Sequence, residues 1–365
     1  MHDRRHTIIS EFSGIKYENS DHGVYEYLKR TALANPHTDI KLVGPDDKEV
    51  VFPRSVSIIP KKPTPIKPHP LGLEASDLLD FAHVTESRKI SSFLVDSFAR
   101  VTSNKVNELK GLVPGIDFSK DPRELTWEEA EKLIGAFKKV KWIGPDLDSL
   151  STIGESQVNA AIKNILNPDF ISVVERKPRV FRGGVPFVVE VGVAYGGAAG
   201  KTTENAVGGN ILRFANKVPL LFDGATCAIT EAVKGLQWKR YGIDDFDNSP
   251  ISVLVNVSSV YIPYSGVGKQ SVAQEDEIIE EIRLAVMDTL RNLQRYLSNV
   301  RSRNIQESKY KTIMRYVNQL SGDLEELTGT KKGKIETSLK SLIETKYNKV
   351  FKDEEAREDS SPSEN

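Results

Sequence analysis

The sequence predicts an α+β chain of several domains, and three observations carry that expectation. Val253, Val255, Val257 and Val260 form a β-branched run between Pro250 and Pro263, the pattern of a strand from Ile251 to Ile262. After it, Ile279, Ile282, Val286, Thr289, Leu293, Tyr296 and Val300 recur three and four apart, which places them on one stripe of a long helix, Glu275 to Arg303. A proline- and lysine-rich connector, Ser57 to Pro70, separates a short first piece from a run of helices.

Composition bounds the class. The chain has 365 residues, enough for two or three domains with their own cores. Hydrophobic residues make up 39% and charged residues 28%, ordinary for a globular protein. The net charge of -1 provides no global basic field, so nucleic-acid contact must come from local patches or a partner. Cys227 is the only cysteine and sits in the apolar run Ala225 to Val233, which excludes a disulfide within the chain and points to buried packing. No signal pattern and no apolar run of membrane-spanning length is present, and the expected compartment is the cytoplasm.

In chain order, His6 to Phe12 reads as a strand, Val24 to Ala34 as a helix, and Asp39–Val43 with Glu49–Phe52 as a hairpin around Gly44-Pro45-Asp46-Asp47. One helix and two or three strands cannot cover both faces of a sheet, so an unpaired edge, an uncovered face and a first 60 residues that are dynamic or aggregation-prone are expected. The Ser57–Pro70 connector has two readings, a stiff spacer or a proline-rich recognition segment. Ala75–Val84, Lys89–Ala99, Asn104–Leu109 and Thr126–Val140 read as helices, the last opened by Thr126 with Glu129 in capping-box spacing. Ser156–Leu166 is a further helix, followed by strands at Ile171–Glu175, Pro186–Tyr195 and Ile211–Lys217. An apolar helix at Ala225–Leu236 precedes a Gly235–Gly242 segment holding Trp238 and Tyr241.

The long helix opens on Glu275, Asp276, Glu277, Glu280 and Glu281 and closes on Arg295, Arg301 and Arg303, matching the helix dipole. At about 1.5 Å per residue it spans roughly 43 Å. Between strand and helix lies Pro263-Tyr264-Ser265-Gly266-Val267-Gly268-Lys269-Gln270, which sets a glycine-flanked lysine at the root of a rigid lever. Two more helices, Glu307–Leu327 and Lys331–Phe351, are expected on either side of Thr328-Gly329-Thr330, with a disordered tail from Lys352.

Chemistry candidates are few. Tyr195 to Thr202 follows a strand and ends in Gly-Lys-Thr, but the first glycine of a phosphate loop is replaced by Tyr195, so a flexible surface loop is expected there. The Gly266–Gln270 loop lacks a leading glycine and carries Gln270 where a magnesium-binding hydroxyl belongs. Lys269 keeps features suited to an anion: flanking glycines, a downstream helix N-terminus and a compact ammonium. A surface lysine in a turn is the other reading. Lys138, Lys139, Lys141 and Trp142 could meet phosphate or be a solvated helix end. All six histidines fall at or before His83, without metal-ligand spacing.

Seven strings are similar to the B subunit of DNA topoisomerase VI, the type IIB enzyme: Gly23–His37, Val50–Arg54, Ile66–Glu74, Leu150–Glu155, Pro186–Gly197, Arg213–Val233 and Ile262–Ala273. The resemblance implies a division into 1–60, the C-terminal remnant of a GHKL-type ATPase domain; 61–70, a linker; and 71–150, a helix–two-turns–helix module. It continues with 151–303, a transducer domain; 304–351, a helical extension; and 352–365, the disordered tail. Such transducers contain a left-handed βαβ crossover, an exception to the usual hand. The resemblance also implies that Lys269 reaches the γ-phosphate of ATP in the complete protein, with ATP and Mg2+ as cofactors. Its partners would be the DNA-cleaving A subunit, a second copy of the B subunit in an A2B2 heterotetramer, and double-stranded DNA.

The family's magnesium-binding Glu-Asn box, Asp-x-Gly-x-Gly adenine contact and glycine-rich lid are absent from the sequence, so this chain alone is expected not to bind or hydrolyse ATP. Three function classes remain in play: a part of the topoisomerase that couples ATP to strand passage and supercoil relaxation, a non-catalytic chain that binds the A subunit or DNA, and an ATP-driven clamp of the MutL or Hsp90 kind.

Overall fold

The computed structural model describes residues 6–359 except 12, 15, 16, 19, 61–64, 146–149, 204 and 205, with backbone alone described for 201–207 and 347–359. Two compact units divide the chain, Met1–Leu293 and Gln294–Asn365.

The first unit begins with residues 6–11, which form no strand; Phe12, the end of the predicted strand, lies outside the described residues. Ile8 and Ile9 are exposed there. Helix α1, Val24–Ala34, has the predicted bounds. Its last turn places Leu33 and Ala34 in a core shared with Ile153, Val158, Ile162, Leu166 and Phe214. The helix of the first piece is therefore covered, packed into the core beside α6. Strands β1, Ile40–Val43, and β2, Glu49–Phe52, pair antiparallel with each other and, among the described residues, with no other strand, and Val43 and Val51 are 52% and 56% exposed.

Helices α2 (Ala75–Val84), α3 (Ile90–Ser97), α4 (Ser103–Leu112) and α5 (Trp127–Phe137) close a separate core around Leu78, Phe93, Phe98, Leu109, Leu133 and Phe137. Thr126 and Glu129 form the capping box that opens α5. His69 fastens the module's two ends. Its Nδ1 accepts the Leu71 N–H at 3.3 Å and its Nε2 lies 3.0 Å from the Ile143 carbonyl, so the neutral ring uses both nitrogens. Burial holds its pKa below the usual histidine range.

Helix α6, Glu155–Leu166, leads into the main sheet. Its strands are β3 (Phe170–Glu175), β4 (Arg179–Phe181) and β5 (Val185–Tyr195), then, after the small β6–β7 pair at 201–203 and 206–207, β8 (Asn210–Ala215), β9 (Val218–Pro219) and β10 (Ile251–Ser259). The order is β3-β5-β10-β8-β9, with β4 on β5. β10 is buried at every residue because it is central, antiparallel to β5 and parallel to β8. The crossover between β8 and β10 contains α7, Ala228–Lys234. That helix starts later than predicted, after a 3-10 turn at Gly224–Thr226, and Cys227 is its fully buried N-cap.

One buried carboxylate joins α6 to this sheet. Glu190 of β5 accepts the Gly154 N–H at 2.7 Å, the Ile153 N–H at 3.1 Å and the Asn256 amide of β10 at 2.7 Å. It thus caps α6, whose own N-cap, Gly154, has no side chain and a φ of +100°. Desolvation raises its pKa, opposed by those three hydrogen bonds.

The predicted flexible loop after Tyr195 is instead a packed turn. Gly196 N donates to Pro250 O at 2.9 Å, Ala198 N to Leu166 O at 3.0 Å, and Ala199 is fully buried. A Cβ on Gly196 or Gly197 would collide with Asp169 or with the Asn167 carbonyl, so these glycines exist for close approach to the end of α6 and not to phosphate.

The long helix α8 runs from Asp276 to Thr328 without the predicted break after Arg303. No proline lies between Arg303 and Thr328, the one glycine there, Gly322, stays helical, and the charged residues around it are good helix formers. It stops at Gly329, whose φ is +68° and whose N–H returns to Glu325 O. In the second unit, Val317 and Ser321 are buried and Ser321 Oγ donates to Val317 O at 2.6 Å. Helix α9, Lys332–Asp359, extends into the tail predicted to be disordered; residues 360–365 of that tail, and 61–64 of the linker, lie outside the described residues.

Replacing Glu190 with Ala takes the acceptor from the buried Ile153 N–H and the part-buried Gly154 N–H and leaves the Asn256 amide only Ser258 Oγ, and is expected to lower the unfolding free energy by about 3 kcal/mol in urea titrations. His69 provides a pH test. Because its folded pKa is lowered from 6.5, its stabilisation is full above that value and is lost as pH falls towards the folded pKa. The His69→Gln chain is expected to lose less stability than the wild type between neutral and mildly acidic pH.

Candidate functional site

The lysine loop hangs from the end of β10. Ser259 fixes the exit: its N–H donates to Asn216 Oδ1 at 2.9 Å, while Asn216 Nδ2 returns a bond to Ser259 O at 2.9 Å. Asn216 and Lys217, both at positive φ, make the two-residue turn joining β8 to β9. Lys217 Nζ donates to Ser151 Oγ at 3.0 Å, and burial lowers its pKa against the attraction of Glu190. The exit of β10 is thus tied to the same network that caps α6.

Beyond Ile262 the loop is a narrow hairpin. Tyr264 bridges Val272, Ser265 N donates to Ser271 O at 3.0 Å, and Ala273 N donates to Pro263 O at 2.6 Å. The returning limb is anchored: Ser271 and Val272 are buried, and Val272 O accepts the Ala228 N–H at the start of α7. The tip is not. Gly266 through Lys269 are exposed, and Val267 stands fully in solvent.

Lys269 closes the tip turn, donating its N–H to Gly266 O at 3.1 Å with a φ of +53°. A lysine in the left-handed region costs about 1 kcal/mol. The flanking glycines do not take up that strain: neither has positive φ, a Cβ on Gly266 would meet nothing, and one on Gly268 only Gln270 Cγ at 3.9 Å. The open space they leave faces outward. Lys269 Nζ has no hydrogen bond or ion pair among the described residues, so its charge is free to meet an anion from outside. Gln270 Oε1, next to it, is buried without a partner.

Past Ala273 the chain enters the lever. Glu275 O receives the Ile278 and Ile279 N–H groups, and Asp276 and Glu277 occupy the first turn. Ile278, Ile279, Ile282, Ala285, Val286, Thr289, Leu290 and Leu293 are buried, so the predicted stripe holds as far as Leu293, while Tyr296 is half-buried and Val300 exposed. A polar ladder runs beside it in the opposite direction. Asn292 Nδ2 meets Ser172 Oγ at 3.0 Å, and Arg176 reaches Asp288 and Glu281, each at 2.7 Å. Farther along, Arg179 reaches Glu281 at 3.4 Å, and Arg182 reaches Glu275 at 2.5 Å. Sequence reasoning missed these arginines, which lie at 176, 179 and 182 in a strand edge with no helical or alternating pattern.

The other basic candidate resolves differently. Trp142 Nε1 donates to Phe137 O at 2.7 Å and the ring packs on the helical core, with Lys105 Nζ 5.8 Å above it. Lys138, Lys139 and Lys141 are exposed without that aromatic partner. No group of His, Cys, Asp and Glu able to hold a metal occurs among the described residues, and no helix is long and apolar enough to cross a membrane.

Residues 145–309 match the family described as topoisomerase VI B subunit, transducer. That span holds the main sheet, the lysine loop and the first part of α8. The B subunit of type 2 DNA topoisomerase 6 from Pyrococcus abyssi is 42% identical over 92% of this chain and 66% of its own length. The Thermococcus sibiricus protein of the same name is 39% identical over 96% of this chain and 69% of its own length. That of Methanothermobacter thermautotrophicus is 44% identical over 84% of this chain and 58% of its own length. The chain thus spans about two-thirds of the length of the first two relatives, 66% and 69%.

Replacing Lys269 with Ala is expected to shift the stability of the chain by less than about 0.5 kcal/mol, because the ammonium makes no bond that folding relies on. A larger loss in thermal unfolding would mean that the cation is structural.

Proposed function

The chain belongs to the family of topoisomerase VI B subunits, and from that premise we propose that it couples nucleotide state to duplex passage within a type II topoisomerase. Lys269 is the sensor. In the complete protein its ammonium meets the γ-phosphate of ATP held with Mg2+, a contact that exists only while that phosphate does. ATP supplies the terminal phosphate, and this chain supplies one cation. The contact pulls on a hairpin whose returning limb is buried and leads directly into α8, so movement at the tip reaches the helix root. The observation that carries the reading is an unpartnered, left-handed lysine at the exposed tip of an otherwise anchored hairpin.

In this reading residues 1–60 complete a GHKL-type ATPase domain and 71–150 are the helix–two-turns–helix module. Residues 151–303 are the transducer, with a left-handed crossover from β8 through α7 to β10. The A subunit cleaves and rejoins DNA and receives the lever, and an A2B2 heterotetramer assembles around double-stranded DNA. The contacts to adenine and Mg2+ lie outside this sequence, so the chain alone should bind no ATP.

In the complete A2B2 enzyme, Lys269→Ala is expected to lower strand passage about 100-fold, the usual cost of deleting a positioned phosphate-binding charge. Unchanged supercoil relaxation would sink the sensor reading. Calorimetric titration of the 365-residue chain with ATP is expected to give no binding heat. Micromolar affinity there would overturn the view that this chain contributes only the sensor.

A further inference from the structure

Arg182 stands where a type I′ turn would place asparagine or glycine. Gly184 N donates to Phe181 O at 3.2 Å, and the two central residues, Arg182 and Gly183, have φ of +48° and +74°. A long side chain in this strained position must be held by what it touches. Its Nε and Nη2 reach Glu275 Oε1 at 3.1 and 2.5 Å, and its Nη1 reaches Glu74 Oε1 at 2.7 Å. Glu275 opens α8, just downstream of Lys269. Glu74 is the N-cap of α2, where it forms a capping box with Asp77. One guanidinium therefore joins the residue just before the lever to the N-cap of the module's first helix, and without it two carboxylates would lose their shared cation.

The surrounding backbone brings these elements close. A Cβ on Gly184 would strike Gly72 N, and one on Gly72 would lie 2.6 Å from Val185 Cγ2, so the β4–β5 turn rests directly on the module's entry at 69–72. Arg176 and Arg179 hold α8 farther along, at Glu281 and Asp288, and their ion pairs do not reach the module. Of the three arginines, Arg182 is the one whose ion pairs span both.

We infer that Arg182 is a positioning residue that passes the state of the lysine loop, through Glu275 and Glu74, to the helical module, so that module and lever move together. This rests on the sensor reading of Lys269 and adds a second output to it.

Arg182→Asn is the test, because asparagine suits the turn and removes only the guanidinium. The 365-residue variant should melt at or above the wild-type temperature. In the complete enzyme, nucleotide hydrolysis should stay within about twofold while duplexes passed per nucleotide fall about tenfold. An unchanged ratio overturns the inference, and so does a parallel loss of hydrolysis, passage and melting temperature, which would mark Arg182 as scaffold only. Hydrogen exchange on the 365-residue chain is a separate arm that needs no nucleotide. There Glu275→Gln should speed exchange in the first turn of α2 about threefold when Arg182 is present and not at all in Arg182→Asn. No change in either background overturns the link whatever Lys269 does. Normal passage by Lys269→Ala would instead remove the sensor reading and leave the Arg182 link to stand or fall on the exchange result.

Discussion

The buried carboxylate of Glu190 is the constraint on which the rest of the first unit depends. It sits on β5 directly opposite Asn256 of β10, in the middle of the sheet, with 1% of its surface exposed. A charge there is costly unless its lone pairs find donors, and the three donors come from two parts of the chain. Two are the backbone N–H groups that open α6, one is the side chain of a central strand, and Lys217 adds its field from the β8–β9 turn. Satisfying one group therefore fixes the entry of α6, the pairing of β5 with β10 and the placement of the turn beside α1. Specificity of this kind is costly to break, because removing Glu190 leaves the Ile153 N–H buried without an acceptor.

From that joint outward the chain loosens in a graded way. β10 is buried along its whole length, the returning limb of the lysine hairpin is buried, and only the tip from Gly266 to Lys269 is in solvent. A displacement at the tip cannot dissipate into a flexible loop, since Tyr264–Val272 pairing and the Val272–Ala228 bond hold its base. The arginines at 176, 179 and 182 then keep the first four turns of α8 in register with the sheet edge. These pairs are partly exposed, so each contributes little to stability. Their value lies in alignment: they fix which face of the helix meets the sheet.

Much of this was legible in the residues. Helices Val24–Ala34 and Ala75–Val84 lie within the ranges the residues predict. The strands at 170–175, 185–195 and 251–259 announce themselves by β-branched runs. Other features were not legible. The charged residues around Arg303 resemble a helix end, yet only Gly329 supplies a left-handed stop. Gly196 and Gly197 resemble a mobile loop because the atoms they avoid, at Asn167 and Asp169, lie across a turn the sequence does not reveal. Lys269 was visible as a candidate, but its own left-handed backbone was hidden by glycines on either side that could have accounted for the turn.

The sequence by itself determined the α+β class, the long amphipathic helix, the position of the glycine-flanked lysine and the family resemblance, because all of these depend on neighbours within a few residues. Tertiary structure decided which charges meet. Glu190 with Gly154, Arg182 with Glu74 and Glu275, and α1 with α6 are pairings between segments far apart in the chain. Each is selected by burial, where an unmatched charge or an uncovered apolar face costs free energy that local propensity does not record.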